Sequence, residues 1–421
     1  MTIPVWLVLL TGGAVIGASF LLVSMVTDRQ LIEGIHEWGW HASAAPPTWV
    51  VRVGQAVGLL VLLALVAVGF VGPRTATVSL TILVVWVVWW AGYTMSVYLV
   101  GDTWRGINPF RLVADAIPIG PIRSYPDRLG AWPSVAGLFA LVWLEVTSRI
   151  ADDPRLMATV IAVYALVTVT GAVVVGTDPW FANADPLSRV FRAYGRMAPI
   201  QRTDDGIGVG LPGWRLATDR FVEGWDDVGF VIALLWLTTF DGFVATPTWR
   251  ALADALVGVG LPPIVAYLGL IVGGFGLFSA AYLLAVAASK RWARTLITRR
   301  EIALRFGQSL LPIAAGYHLA HYLGYFLSLG PSVAVMVTRP LAPPAQLPVL
   351  VLPAWFGTLQ LAFVLVGHVI AIWVAHAIAF DTFTGRLQPI RSQYSFSLVM
   401  IAFTMTSIAI VYQPTIQLPY L

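Results

Sequence analysis

The chain has 421 residues, 58% of them hydrophobic and 11% charged, against roughly 25% charged in an average soluble domain. That composition excludes a soluble globular enzyme, and apolar runs of 18 residues or more recur along the whole length, as in membrane-spanning helices. There is no cysteine, which excludes disulfides and thiolate metal ligands, and the net charge of +4 by itself says little about partners; no nucleic-acid partner is expected.

Ten apolar spans are expected in chain order: 4–26, 49–72, 77–100, 131–149, 155–176, 228–247, 262–288, 303–329, 355–380 and 394–413. The fold expected is therefore all-α, an integral membrane bundle of about ten transmembrane helices forming one domain over 1–421. The first span lacks a basic leader and a small-residue cleavage site, so it reads as a retained helix. His36 and His41 follow in the first loop, where nothing specific is expected of them.

Span three leaves into the loop 101–130 through GDTWRGINPFRLVADAIPIG, and span five into the loop 177–227 through GTDPWFANADPLSRVFRAYGRMAPI. Aligned on Pro109 and Pro186, the two share Gly, Asp, Trp and then Asn or Asp before Pro, which reads as an internal duplication. Asn108 and Asp185 suit the N-cap, and the prolines suit the first helical position. Each segment then opens a short amphipathic helix. The apolar faces are Phe110, Val113 and Ile117 in one, and Leu187, Val190, Phe191 and Tyr194 in the other, with arginines on the polar faces. Two cytoplasmic interfacial helices are expected, and Asp102 and Asp178 fall where a vestibule would begin.

Charge tests the span count. With ten spans the termini share a side, and 20 of the 25 basic residues fall on the opposite one. A positive-inside split of that size puts both termini outside and the two long loops in the cytoplasm, with a prokaryotic plasma membrane as the location.

Ionisable residues within spans are costly and mark function. Here they are Glu145 in span four, Asp241 in span six, Gln308, His318 and His321 around span eight, and His368 and His376 in span nine, followed by Asp381. His318 and His321 share a helix face. At ~1.5 Å per residue, His318, His321 and His368 come to similar depths on neighbouring antiparallel spans, with Asp241 within reach of their outer side. Several chemistries suit such a set. It can hold a divalent transition metal, zinc above all, on His318, His321 and His368, with His376 and Asp381 a separate pair. It can hold one haem on two axial histidines, or form a proton or substrate path. It can also be structural, bonded across helices. Met400 and Met405 read as span filling rather than copper ligands.

Taken in order, TIPVWLVLLTGGAVIGASF, GDTWRGINPF, YPDRLGAWPSVAGLFALVWLEV, DPWFANADPLSRVF, FDGF, LLPIAAGYHLAHYLGYF, VGHVIAIWVAH and SQYSFSLVMIAFT resemble the prokaryotic polytopic membrane proteins named fenitrothion hydrolase. The resemblance implies hydrolysis of a lipophilic organophosphorus ester, with His318, His321, His368 and His376 as the positions matched; in a metal-dependent hydrolase Asp241 would be the general base or a further ligand. The partners are then the bilayer and a small lipophilic substrate. The alternative is a transporter or channel for a metal ion or small amphiphile using the same residues. The repeat favours it, although the sequence marks no pair of broken helices.

Overall fold

The structure, a computed structural model, describes residues 4–43, 46–203 and 206–420. Along the chain, α1 (Val5–Ser24) leads to α2 (Arg29–Glu37), capped by Asp28 through the amides of Gln30 and Leu31. Next comes α3 (Thr48–Val71). The third span is composite: α4 (Leu80–Leu83), a π-helical stretch Val84–Tyr93, and α5 (Thr94–Leu99). Short α6 (Trp104–Ile107) and α7 (Pro109–Ala116) precede α8 (Trp132–Thr147) and α9 (Pro154–Val175). A turn, α10 (Thr177–Pro179), and a π turn, Trp180–Ala184, lead into α11 (Pro186–Gly195). The remainder is α12 (Trp225–Val244), α13 (Pro247–Gly258), α14 (Pro263–Ala293), α15 (Arg299–Gly307), α16 (Leu311–Thr338), α17 (Phe356–Thr382) and α18 (Gln388–Val411). Three short strands, β1 (Gly39–Ala42), β2 (Ile200–Thr203) and β3 (Gly206–Gly210), pair in the order β1-β3-β2.

Nine helices among the described residues are long and apolar enough to cross a membrane. The fourth expected span is the exception. Helix α8 has 16 residues, about 24 Å at 1.5 Å each, short of the ~30 Å hydrocarbon core. Gly130 at φ 46° turns the chain into it, and Ser148 takes an extended conformation at its end, so both ends are fixed locally. Span eight is longer than expected. The 3-10 turn Gln308–Leu310 joins α15 to α16, and α16 runs on through Pro331 to Thr338.

The chain, expected as one domain, divides into two compact units: Met1–Trp40 with Val209–His321 and Ala354–Leu421, and His41–Gly208 with Tyr322–Pro353. In the first unit, α12 has 16 of its 20 residues buried, a helix apolar all round because it is enclosed all round. Its Trp236 donates to Ile271 O at 2.7 Å, over the space left by Gly274 on α14. Helix α18 packs on α1, α14 and α17, and Gly12 and Gly13 of α1 admit Ile408, Ile401 and Met405 from it.

In the second unit, α3 lets the α6 turn lie on its backbone at Gly54 and Gly58, against the carbonyls of Gly106 and Ile107. Helix α11 is amphipathic in sequence, but eight of its ten residues are buried. It sits among α5, α8 and the π turn rather than laying one apolar face on a surface. Arg189, placed on a polar face by the sequence pattern, is buried with its guanidinium on Ala182 O at 2.5 Å. Phe191 is the centre of an aromatic cluster, 5.0–5.4 Å from the rings of Trp89, Tyr93 and Trp104.

Candidate functional site

In the first unit α16 and α17 touch backbone to backbone. A Cβ on Gly316 would lie 2.8 Å from Gly367 Cα and 2.8 Å from Phe363 O, so only glycine fits there. His318 and His368 follow these glycines by two residues and one, and both are fully buried. His368 Nδ1 lies 2.8 Å from Val364 O, one turn back in its own helix. A carbonyl only accepts, so Nδ1 carries the proton. The lone pair of Nε2 is then buried without a hydrogen-bond partner.

Helix α12 supplies the carboxylate. Asp241 Oδ2 lies 3.6 Å from His321 Nε2 on α16, within ion-pair range but longer than a hydrogen bond. The two side chains are 22% and 24% exposed, whereas His318 and His368 are fully buried. The Tyr317 ring stacks parallel to the His321 imidazole at 6.0 Å and 11°. The Tyr317 hydroxyl, packed against Gly242 beside Asp241, is a buried donor without a partner.

The metal cluster expected from His318, His321 and His368 with Asp241 is not found: among the described residues no three His, Asp or Glu side chains gather to hold a metal. His376 is engaged at both nitrogens, by Gln393 Oε1 at 3.2 Å and Val26 O at 2.8 Å. Asp381, expected to pair with it, instead binds Arg305 at 2.6 Å. His368 is turned to its own helix by Val364 O. Of the residues placed at similar depth, His321 and Asp241 approach each other; the azimuth of each side chain, as well as its depth, decides which converge. This donor set does not fit zinc, and no two histidines are shown flanking a haem.

Gln308 has a structural role. Its amide donates to Leu216 O and Asp219 O and accepts from Phe221 N at 3.0 Å, tying the loop before α12 to the 3-10 turn. His36 was given no role by the sequence, yet it is buried, with Nδ1 3.2 Å from Trp214 O and its ring stacked on Trp373 at 5.7 Å. Burial lowers its pKa, and the Trp214 carbonyl opposes that. The amphipathic pattern of α2 was the available signal, since it turns His36 and Ile32 to one face.

In the second unit the two echoing segments meet. Asn108 caps α7 through the amides of Phe110 and Arg111, and Asp185 caps α11 through Ser188 N at 2.8 Å. Trp104 Nε1 donates to Ser188 Oγ at 2.9 Å, Asn108 reaches the same oxygen at 3.4 Å, and the Tyr164 hydroxyl donates to Asp185. Burial pushes the Asp185 carboxyl above the usual carboxylate range, and its hydrogen bonds to Ser188 and Tyr164 pull the other way. Asp178, a proposed vestibule residue, instead holds Arg111 at 2.7 Å, which lowers its pKa. Asp102 caps Trp104 N at 2.8 Å. Glu145 lines an apolar cavity in this unit. Comparison with protein-family models, curated proteins and solved structures returns no match for the chain.

Proposed function

We propose that the chain is a membrane transporter of a small amphiphile, with Asp241 and His321 as its proton-binding pair. The observation that carries this reading is the 3.6 Å approach of His321 Nε2 on α16 to Asp241 Oδ2 on the enclosed helix α12, both side chains partly exposed. A carboxylate in a membrane interior is tolerated where it binds a proton or a cation and releases it again. An imidazole beside it accepts or returns that proton without moving the backbone. Interrupted spans add support, because irregular backbone at membrane depth is kept where it lines a path. The 3-10 turn Gln308–Leu310, in the unit that holds the pair, is such an interruption.

The test is proton flux in proteoliposomes loaded with a pH-sensitive dye, with a panel of lipophilic amines and acids added outside. Substrate-dependent flux, lost by about tenfold or more in Asp241→Asn and His321→Ala, is expected. Absence of flux with every compound would overturn the reading.

A second reading is a hydrolase of lipophilic esters, organophosphorus triesters among them, in line with the family resemblance. An imidazole oriented by a carboxylate is also the arrangement of a general base that activates water. No step through a metal follows, because the side chains do not converge on one. Release of nitrophenol from a lipophilic nitrophenyl phosphotriester by purified protein, abolished in His321→Ala, would support it. We also propose a prokaryotic plasma membrane with both termini outside, on the 20-to-5 division of basic residues. An ancestral duplication of the span-three and span-five exits is proposed from their shared caps.

A further inference from the structure

Helices α14 and α18, both in the first unit, are long and apolar enough to cross a membrane. The 31 residues of α14 extend ~46 Å, well beyond the ~30 Å hydrocarbon core. Its polar last turn, with Lys290 and Arg291, is the part that reaches headgroup depth. The start of α18 is held against this turn by two contacts. Gln388 Nε2 donates to Arg294 O at 3.5 Å, and the Tyr394 ring lies 6.4 Å from the Trp292 ring. Gln388, Arg391 and Tyr394 are spaced by three and form one stripe on α18. Arg391 therefore lies between the two contacts, beside the end of α14.

The patch so formed is cationic without relief. No Asp or Glu occurs in 290–300 or in 382–394. Glu301 and Asp381, the acids that flank these segments in sequence, are both bound by Arg305. Among the described residues no ion pair engages Lys290, Arg291, Arg294, Arg386 or Arg391. Lys290 and Arg291 suit the negative end of α14, but Arg391 falls in the first turn of α18, where the helix dipole opposes a cation. Arg294 ends α14 at φ 49° and ψ 49°, a left-handed conformation that glycine adopts without cost. Arginine there keeps a long cation at the turn at the expense of backbone strain. The charges stand among exposed apolar side chains: Trp292, Leu387, Tyr394 and, two residues past Arg294, Leu296 at 98%.

We infer that this patch binds an anionic phospholipid, its phosphodiester taken by Arg291, Arg294 and Arg391 and its glycerol and chains lying against Trp292, Tyr394 and Leu296. A guanidinium offers a phosphate two parallel hydrogen bonds. Trp and Tyr favour headgroup depth, and basic clusters at the ends of membrane helices recognise anionic headgroups. A free phosphate would answer the charge but leave the exposed aromatic and aliphatic side chains uncovered. The inference does not depend on the transport reading, because the patch uses none of the residues of the Asp241–His321 pair and is tested by lipid retention.

The experiment is native mass spectrometry of detergent-purified protein given equal amounts of phosphatidylglycerol and phosphatidylcholine with the same acyl chains. Wild-type protein is expected to retain phosphatidylglycerol at least about tenfold more tightly. Arg294→Gly and Arg391→Gln are each expected to cut that preference about fivefold. Arg294→Gly also relieves the left-handed strain, so its thermal midpoint should be unchanged or higher. Arg123→Gln, at an exposed arginine of the second unit, is the control and is expected to change nothing. Equal retention of the two lipids by wild-type protein would overturn the inference and leave the patch a solvated cationic surface. So would a preference within twofold of wild type in both patch variants, or an equal fall in Arg123→Gln. Displacement of phosphatidylglycerol by glycerol 3-phosphate, the headgroup phosphate without chains, would overturn the lipid assignment in favour of a free phosphate. The wild-type comparison stands even if a variant fails to fold.

Discussion

At the scale of single residues, two kinds of position control this protein. Glycines set helix approach. Gly367 has Pro312 O 2.6 Å and Gly316 Cα 2.9 Å from where a Cβ would sit. Gly367→Leu must therefore part α16 from α17, at a cost of ~1–3 kcal/mol or more. A fall in the thermal midpoint of detergent-purified Gly367→Leu, with a smaller one for Gly367→Ala, is the expected result. An unchanged midpoint in the Leu variant would show that the helices do not touch there. Buried carboxyls are the second kind. Asp185 has a raised pKa, so the folded state holds its proton more tightly than the unfolded one. Its contribution to stability is fully present below the ordinary carboxylate pKa and is lost as pH rises through the folded value. Thermal melts of wild type and Asp185→Asn across that window should converge at low pH and separate upward, the Asn variant being less sensitive to pH. Asp185→Ala also removes the cap and the acceptor for Tyr164, and should cost a further ~1–3 kcal/mol. The capping roles of Asn108 and Asp185 were legible in the sequence, because an N-cap before Pro depends only on adjacent residues. The buried His36 was not, because its partners Trp214 and Trp373 are remote in sequence.

At the scale of elements, hydropathy located nine of the ten expected spans as long apolar helices among the described residues, left the fourth as the short helix α8, and ended the eighth too early, before α16 runs on through Pro331 to Thr338. The composite third span and the 3-10 join in the eighth follow an uninterrupted apolar run, so composition carries no mark of them. Helix α8 is the element whose crossing matters most, being short and flanked by exposed polar segments. Native cysteine is absent, so single-cysteine variants report cleanly. If α8 crosses, Ser124→Cys and Asp152→Cys lie on opposite sides, and a membrane-impermeant maleimide in intact cells labels only one. Labelling of both, or of neither before permeabilisation, would mean that α8 does not cross. The two exit helices show the complementary limit. Periodicity identified α11 as amphipathic, but not that its polar face meets Trp104 and Asn108 instead of water or headgroups.

At the scale of the molecule, the proposed orientation rests on the division of basic residues. Thr75 and Thr384 are exposed positions in loops on opposite sides by that division. In intact cells, Thr75→Cys should react with the impermeant maleimide at once, and Thr384→Cys only after permeabilisation. The reverse pattern would invert the assigned orientation. The all-α membrane character, the order of the long apolar helices and the existence of the short capped helices were determined by sequence alone, because in lipid each backbone must satisfy its own hydrogen bonds and the length of an apolar run fixes a helix. The site was decided only by tertiary structure. Which of the five His and Asp candidates meet depends on helix azimuth and on backbone contact at Gly316 and Gly367. One pair resulted where a cluster of histidines was expected. The apolar cavity of the second unit likewise exists only because separate segments, α3, the π stretch, α8 and α9, bring their side chains to one space.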